Sequence, residues 1–132
     1  MTAAERGARR TAERRVRGRT AHREGHRGEW LAALWLMLKG YQILGFRVRT
    51  PVGEVDLLAR RGGVLAVVEV KRRGSLEEAL EALTPEQAER LGRAARALAA
   101  RPSLRTLRLR GDIVALAPGR LPRHRLGAWN SP

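Results

Sequence analysis

The sequence predicts an α/β fold, a mixed β-sheet flanked by helices, and three observations carry that prediction. An apolar run at helical spacing comes first, and three runs with strand character separated by Gly-containing turns follow it. Two helix-capping signals then precede another apolar run. The chain has 132 residues, enough for one domain that buries roughly two-thirds of the surface its unfolded form exposes.

Residues 1–26 read as a disordered basic arm and residues 27–132 as the folded domain. Residues 1 to 28 carry nine Arg and three Glu, with Val16 as the one large aliphatic side chain, which is too little apolar surface to bury a helical face. His22 and His26 stand four apart, a spacing that puts two ligands on one helical face, yet no metal site is predicted there. From Glu29 the pattern changes: Trp30, Leu31, Leu34, Trp35 and Leu38 recur at helical spacing, and Gly40 follows Lys39 as at a helix end. A helix is predicted over about 27 to 39.

Tyr41 to Arg49 reads as a strand that ends at the turn Pro51-Val52-Gly53, and Glu54 to Arg60 as a second. Gly62-Gly63 closes the next hairpin. Val64 to Lys71 is almost wholly apolar, as suits a central strand covered on both faces, so three antiparallel strands result. Ser75 and Glu78 form a capping-box pattern for a short helix to about Leu83. Thr84 as cap, Pro85 at the first helical position and Gln87 then start a helix to about Ala100, with Ala88, Leu91, Ala95 and Leu98 on its buried side. Leu104 to Leu116 is strand-like, with a bulge expected at Gly111 and a stop at Pro118-Gly119; Leu121 to Pro132 carries weak signals.

Charge narrows the partner. The formal net charge is +14, and of 27 basic residues only Lys39 and Lys71 are Lys. The planar guanidinium fork suits phosphate, whereas a membrane-binding segment also needs an apolar face beside its charge, so nucleic acid is the expected partner. No cysteine is present, which excludes disulfides, thiolate-bound zinc, iron-sulfur clusters and thiol nucleophiles. The longest uncharged apolar run, Trp30 to Leu38, is far below the ~20 residues that span a bilayer. No secretory signal is legible, and a cytoplasmic location is expected.

Two carboxylates break the strands. On the second strand, alternation puts Glu54, Asp56 and Leu58 on one face and Val55, Leu57 and Ala59 on the other. On the third, Glu69 and Lys71 share a face at the end of an aliphatic run. Charged residues are rarely buried unless paired or bound to metal. Adjacent strands that bring Asp56 and Glu69 together can hold Mg²⁺ or Mn²⁺, with the backbone carbonyl of Val70 assisting, because Mg²⁺ usually takes one or two protein carboxylates and completes its octahedron with water and phosphate. Lys71 can orient a nucleophile or stabilise a transition state. A partly exposed salt-bridge cluster of Asp56, Glu69 and Lys71 accounts for the same residues without chemistry.

At these positions a family pattern is visible. Gly53-Glu54-Val55-Asp56-Leu57-Leu58 followed by Val68-Glu69-Val70-Lys71 resembles the core of PD-(D/E)xK nucleases. With Gly28-Glu29 on a leading helix, Gly40-Tyr41, a capped helix and Arg110-Gly111-Asp112, residues 25 to 130 resemble the YraN family, small bacterial proteins related in fold to archaeal Holliday junction resolvases. The resemblance implies a restriction-endonuclease-like mixed β-sheet flanked by helices. It implies Asp56 and Glu69 as metal ligands, Lys71 as the catalytic lysine and Glu29 as a further acidic site residue. The family pattern usually has a Lys where this chain has Gln87, and an aromatic or large apolar residue where it has Gly111. Asp112 reads as a structural partner of an Arg.

Two functions compete. One is a Mg²⁺-dependent endonuclease acting on branched or otherwise irregular DNA, with Arg47, Arg49, Arg72, Arg73 and Gln87 as nucleic-acid contacts. The other is a non-catalytic nucleic-acid-binding module that keeps the nuclease fold. Acids facing phosphate favour the first, since they would repel nucleic acid without a metal. No base-reading motif is present, so phosphate and shape readout are expected. A homodimer is implied by the related resolvases.

Overall fold

Short turns after apolar, β-branched runs force consecutive strands to pair as hairpins. In the computed structural model, which describes residues 19–130, with side chains from Gly28 to Trp129, β1 (Gln42–Thr50), β2 (Gly53–Arg61) and β3 (Val64–Arg72) are such a meander. After β3 the chain crosses over through α2 (Leu76–Leu80) and α3 (Pro85–Ala99), so β4 (Arg108–Leu116) returns parallel to β3, from Val64↔Arg108 to Arg72↔Leu116. β5 (Arg123–Asn130) closes the far edge antiparallel to β4, giving the spatial order β1-β2-β3-β4-β5.

Helix α1 (Arg19–Leu38) covers one face of the sheet, packing Ala32, Ala33 and Leu36 on Leu57, Ala59, Ala66, Val68 and Val114. Helix α3 covers the other face, with Leu91, Ala94, Ala95 and Leu98 on Val55, Leu58, Leu65 and Val67; α2 packs beside it on Ile113 and Ala115. The central strand β3 is covered on both faces, and Leu65, Ala66, Val67 and Val68 have no exposed surface. A mixed sheet between helices in this order fits the restriction-endonuclease-like fold that the motifs imply.

Both predicted N-caps form, although at Ser75 only the cap half of the expected box is present. Ser75 Oγ accepts from Glu78 N–H at 3.1 Å. Thr84 and Gln87 form a reciprocal capping box, each side chain 3.1 Å from the other's backbone N–H. Gly40, at φ +91°, closes α1 with Tyr41 N–H reaching back to the Leu36 carbonyl at 3.0 Å, a left-handed cap that favours glycine.

Four expectations need revision. Helix α1 starts at Arg19, not near residue 27, so it takes in His22 and His26, whose side chains lie outside the described residues, as do residues 1–18 of the basic arm. Of its apolar residues, Trp30, Leu31, Leu34 and Leu38 face outward, and Ala32, Ala33 and Leu36 face the sheet. Leu104 belongs to a run of turns and β4 starts at Arg108. Gly111 is buried and in regular register with Val67; the extra residues fall on β5, between Arg125 and Asn130, where Gly127 takes φ +62°. Extra residues on the edge strand bend it rather than the covered one.

That bend organises a second charged cluster. Asp112, fully buried on β4, accepts from Arg110 Nε and Nη2 at 2.8 Å each, from Gly127 N–H at 3.0 Å, and lies 2.7 Å from His124 Nε2. His124 Nδ1 is 2.6 Å from Lys39 Nζ, and Arg110 also bonds the Tyr41 hydroxyl. Asp112 is thus the structural partner of an arginine, and it ties β4, β5 and the end of α1 together. Among the described residues no buried side-chain nitrogen or oxygen lacks a hydrogen-bond partner.

Candidate active site

β2 and β3 pair from Arg61↔Val64 to Leu57↔Val68. Asp56 and Glu69 are the next residues beyond that last pair. Asp56 Oδ2 accepts a hydrogen bond from Val70 N–H at 2.8 Å, a donor directed at β2 beyond the end of the ladder. The N–H and C=O of one residue in an extended strand lie on the same edge, so the Val70 carbonyl is directed to that side as well.

Near the same point the faces of the paired strands β1 and β2 change over. Phe46 and Leu57 are paired and lie on the α1 side, whereas Val48 and Val55, two residues along, are paired and pack toward α3. The regular alternation expected for Val55, Leu57 and Ala59 is therefore broken at Asp56. Arg47, between Phe46 and Val48, is the one non-glycine among the described residues with positive φ, at 47°, a conformation that costs an L-residue roughly 1–2 kcal/mol. Its guanidinium Nε is held 3.1 Å from both carboxylate oxygens of Glu29.

Glu69 and Lys71 both point to the α3 side, with Lys71 Nζ 3.5 Å from Glu69 Oε1 and both side chains largely covered. A cavity of about 180 Å³ opens there, walled by Glu54, Asp56 and Glu69 from the sheet and by Gln87, Arg90 and Leu91 from α3. Burial, and then the neighbouring Asp56 charge, push the Glu69 carboxyl up to about 8, against an opposing pull from Lys71. At neutral pH, Glu69 therefore holds a proton beside an ionisable partner.

The sequence model of Uncharacterised protein family UPF0102 matches residues 28–116. The chain belongs to this family. It is 62% identical over 121 residues to a UPF0102 protein of Caulobacter sp. (strain K31), covering 91% of this chain and 87% of the relative. To a UPF0102 protein of Caulobacter vibrioides (strain NA1000 / CB15N) it is 61% identical over 117 residues, covering 88% and 94%. To one of Chelativorans sp. (strain BNC1) it is 51% identical over 114 residues, covering 86% and 92%. UPF0102 is the YraN-like group whose motifs the sequence carries.

The UPF0102 segment includes Glu29, Asp56, Glu69, Lys71 and Gln87, while His124 on β5 lies beyond it. Asp56, Glu69, Val70 and Lys71 come together as the motifs imply. Glu29 does not line the cavity; it is buried against β1 and bonded by Arg47. That pairing also removes Arg47 from the free cations. Arg49 is exposed and only loosely paired, 3.7 Å from Glu54, and Arg72 and Arg73 are exposed just beyond Lys71. Gln87 lines the cavity, but its Oε1 is occupied by the Thr84 N–H. The wall residue the sequence reading missed is Arg90. Its signal was three residues of spacing from Gln87, one helical turn along the same face.

Proposed function

We propose that this protein is a Mg²⁺- or Mn²⁺-dependent endonuclease that hydrolyses phosphodiester bonds in branched or otherwise irregular DNA. The observation that carries the reading is the Asp56–Glu69 pair with Lys71 beside it, placed where a ladder ends and a cavity begins. The donor set fits a hard divalent cation. Among the described residues no group of three or more His, Cys, Asp or Glu surrounds a single point, so two carboxylates and the Val70 carbonyl would hold the ion and leave positions for water and phosphate, as Mg²⁺ prefers. The bound ion supplies a lowered water pKa and charge neutralisation at phosphorus.

The chain's own groups do the rest. Asp56, anchored by the Val70 N–H, is a fixed oxygen ligand. Glu69 must lose its proton to serve as the second, and a cation in the cleft makes that loss favourable. Lys71, held at Glu69, can donate to an attacking water or to a developing negative charge. Arg90 on α3 faces the carboxylates across the cavity and can grip a phosphate oxygen with its fork. The excess of arginine supports affinity for the polyanion without base recognition.

The test is cleavage of linear, flapped and four-way DNA with Mg²⁺ or Mn²⁺ against chelator. Metal-dependent cutting of a branched substrate that Lys71→Ala abolishes supports the reading. DNA binding without cutting under every condition replaces it with the non-catalytic binding module.

A further inference from the structure

Helix α1 is apolar on every side between Trp30 and Leu38, and the sheet covers only part of it. Ala32, Ala33 and Leu36 are fully buried, whereas Trp30 is 62% exposed, Leu38 is 74% exposed and Leu31, Leu34 and Met37 are near half. At about 100° per residue, these five outward side chains fall within an arc of about 120°. A surface helix normally turns its large apolar residues inward and its polar ones outward. Phe46 of β1 continues the surface, its ring 4.9 Å from that of Trp30. Together the six side chains expose on the order of 600 Å² of mostly apolar area, the upper end of what a monomer ordinarily shows.

We propose that this face joins two copies of the chain across a two-fold axis. No charged residue lies between Trp30 and Leu38, so the centre of the face holds no ion to desolvate and no charge to offer to a nucleic acid or a charged protein; Lys39 and Arg47 stand at its rim. A single straight stripe is self-complementary under two-fold rotation, and Trp, Phe and Met are the residues that anchor interface cores. The exposed area approaches the roughly 800 Å² per partner of a standard interface, with the rim to make up the difference. The chain cannot cover the face itself, because residues 1–26 contain only Met1 and Val16 as large apolar side chains. Contact runs through the helices and not through sheet extension: β1 is an edge strand, but its register shift at Leu44 and the positive φ at Arg47 make that edge irregular.

Sedimentation equilibrium of the full chain tests this. The expected mass at about 100 μM is twice 14.7 kDa. The dimer should strengthen between about 0.1 M and about 1 M NaCl, because two chains of net charge +14 repel and the screening length falls from about 10 Å to about 3 Å. Leu34→Glu and, separately, Trp30→Arg should weaken association at least about 100-fold while leaving the monomer's circular dichroism unchanged. A parent that stays monomeric at both salt concentrations overturns the proposal, whatever the variants do. So does a dimer that both variants leave intact. A monomer whose Trp emission moves to the blue on phosphatidylglycerol vesicles, with the shift lost in Leu34→Glu, overturns it in favour of a lipid surface.

Discussion

Each of the two lysines sits in a cluster with an acid, Asp112 fully buried and Glu69 largely covered, on opposite faces of one sheet, and the two acids are treated in opposite ways. On the α1 side, the two oxygens of Asp112 accept from Arg110 twice, from the Gly127 N–H and from His124. Burial raises that carboxyl, but the His124, Arg110 and Gly127 hydrogen bonds outweigh it and hold the group below its ordinary value. On the α3 side, Glu69 has one cation at 3.5 Å and a second carboxylate beside it, and it is pushed up to about 8. A structural acid is surrounded by donors until its charge is stable. Glu69 is left short of them, the kind of perturbed carboxyl that marks a candidate site.

Removing the acids should separate the clusters most sharply. Asp112→Ala leaves Arg110 and His124 buried without their anion, and breaking one partner of a buried pair costs roughly 3–5 kcal/mol, so the melting temperature should fall by about 10 °C or more. Glu69→Gln replaces a carboxyl that is already neutral at pH 7 without metal by another neutral group, so the metal-free melting temperature should hold within a few degrees. Equal losses in both variants would make the α3-side cluster a salt-bridge network and remove the case for a site. Calorimetric melts in chelator decide it.

Lys71→Ala comes next. It should leave the melting temperature within a few degrees of the parent and reduce cleavage by at least about 100-fold, because its expected contribution lies in the transition state. Lys71→Arg should not restore cutting, since a guanidinium is planar, bulkier and unable to release its proton. Rescue by Arg would reduce Lys71 to a counter-charge.

The pH dependence of stability divides the same way. Glu69 keeps its proton in the folded state to about pH 8, while in the unfolded chain it loses the proton near the usual carboxylate value. The folded state therefore binds the extra proton, and its stability falls as pH rises from roughly 5 to 8, with a slope of at most about 1.4 kcal/mol per unit. Asp112 has the opposite sign: its contribution is present above the unfolded value and is lost as pH falls through the depressed one. Glu69→Gln should flatten the decline toward alkaline pH and leave the acid limb alone. Mg²⁺ should flatten it too and release protons on binding. An unchanged profile in Glu69→Gln would show that Glu69 is ionised without metal.

The three-strand meander, the two helix N-caps and the Asp56–Glu69–Lys71 grouping were legible because each rests on local chemistry or on one hairpin register; the parallel place of β4 beside β3 rests on neither. What was not legible depends on distant packing. The outward stripe of α1 has the same helical period as an inward one; only the sheet's demand for Ala32 and Ala33 at close approach decides which side turns in. The face change at Asp56 lies beside the positive φ of Arg47 on the paired strand, and nothing in the spacing of residues 54 to 59 reports it. Arg90 was lost among many arginines because composition alone cannot rank them. The Asp112 cluster joins residues as far apart as Lys39 and His124, beyond the reach of any periodic reading.

The smallest effect should come from Lys39, and it sharpens the contrast between the two lysines. Its ammonium is shifted down by burial, with Asp112 pulling it up and Arg110 and Arg61 pushing it down again. Its one hydrogen bond among the described residues is to His124 Nδ1. That nitrogen is the far end of an imidazole already held at Nε2 by Asp112, so the ring keeps its place when Lys39 goes. Lys39→Met should then cost about 1 kcal/mol, the value of a typical hydrogen bond, and Lys39→Arg about the same or less, because the longer side chain can still reach the ring. Neither should change cleavage. Chemical-denaturant melts beside the cleavage assay would show two lysines that differ in kind: one replaceable and felt only in stability, the other irreplaceable and felt only in turnover. If Lys39→Arg removed cleavage as Lys71→Arg is expected to, the α1-side cluster would have to be counted as part of the active site.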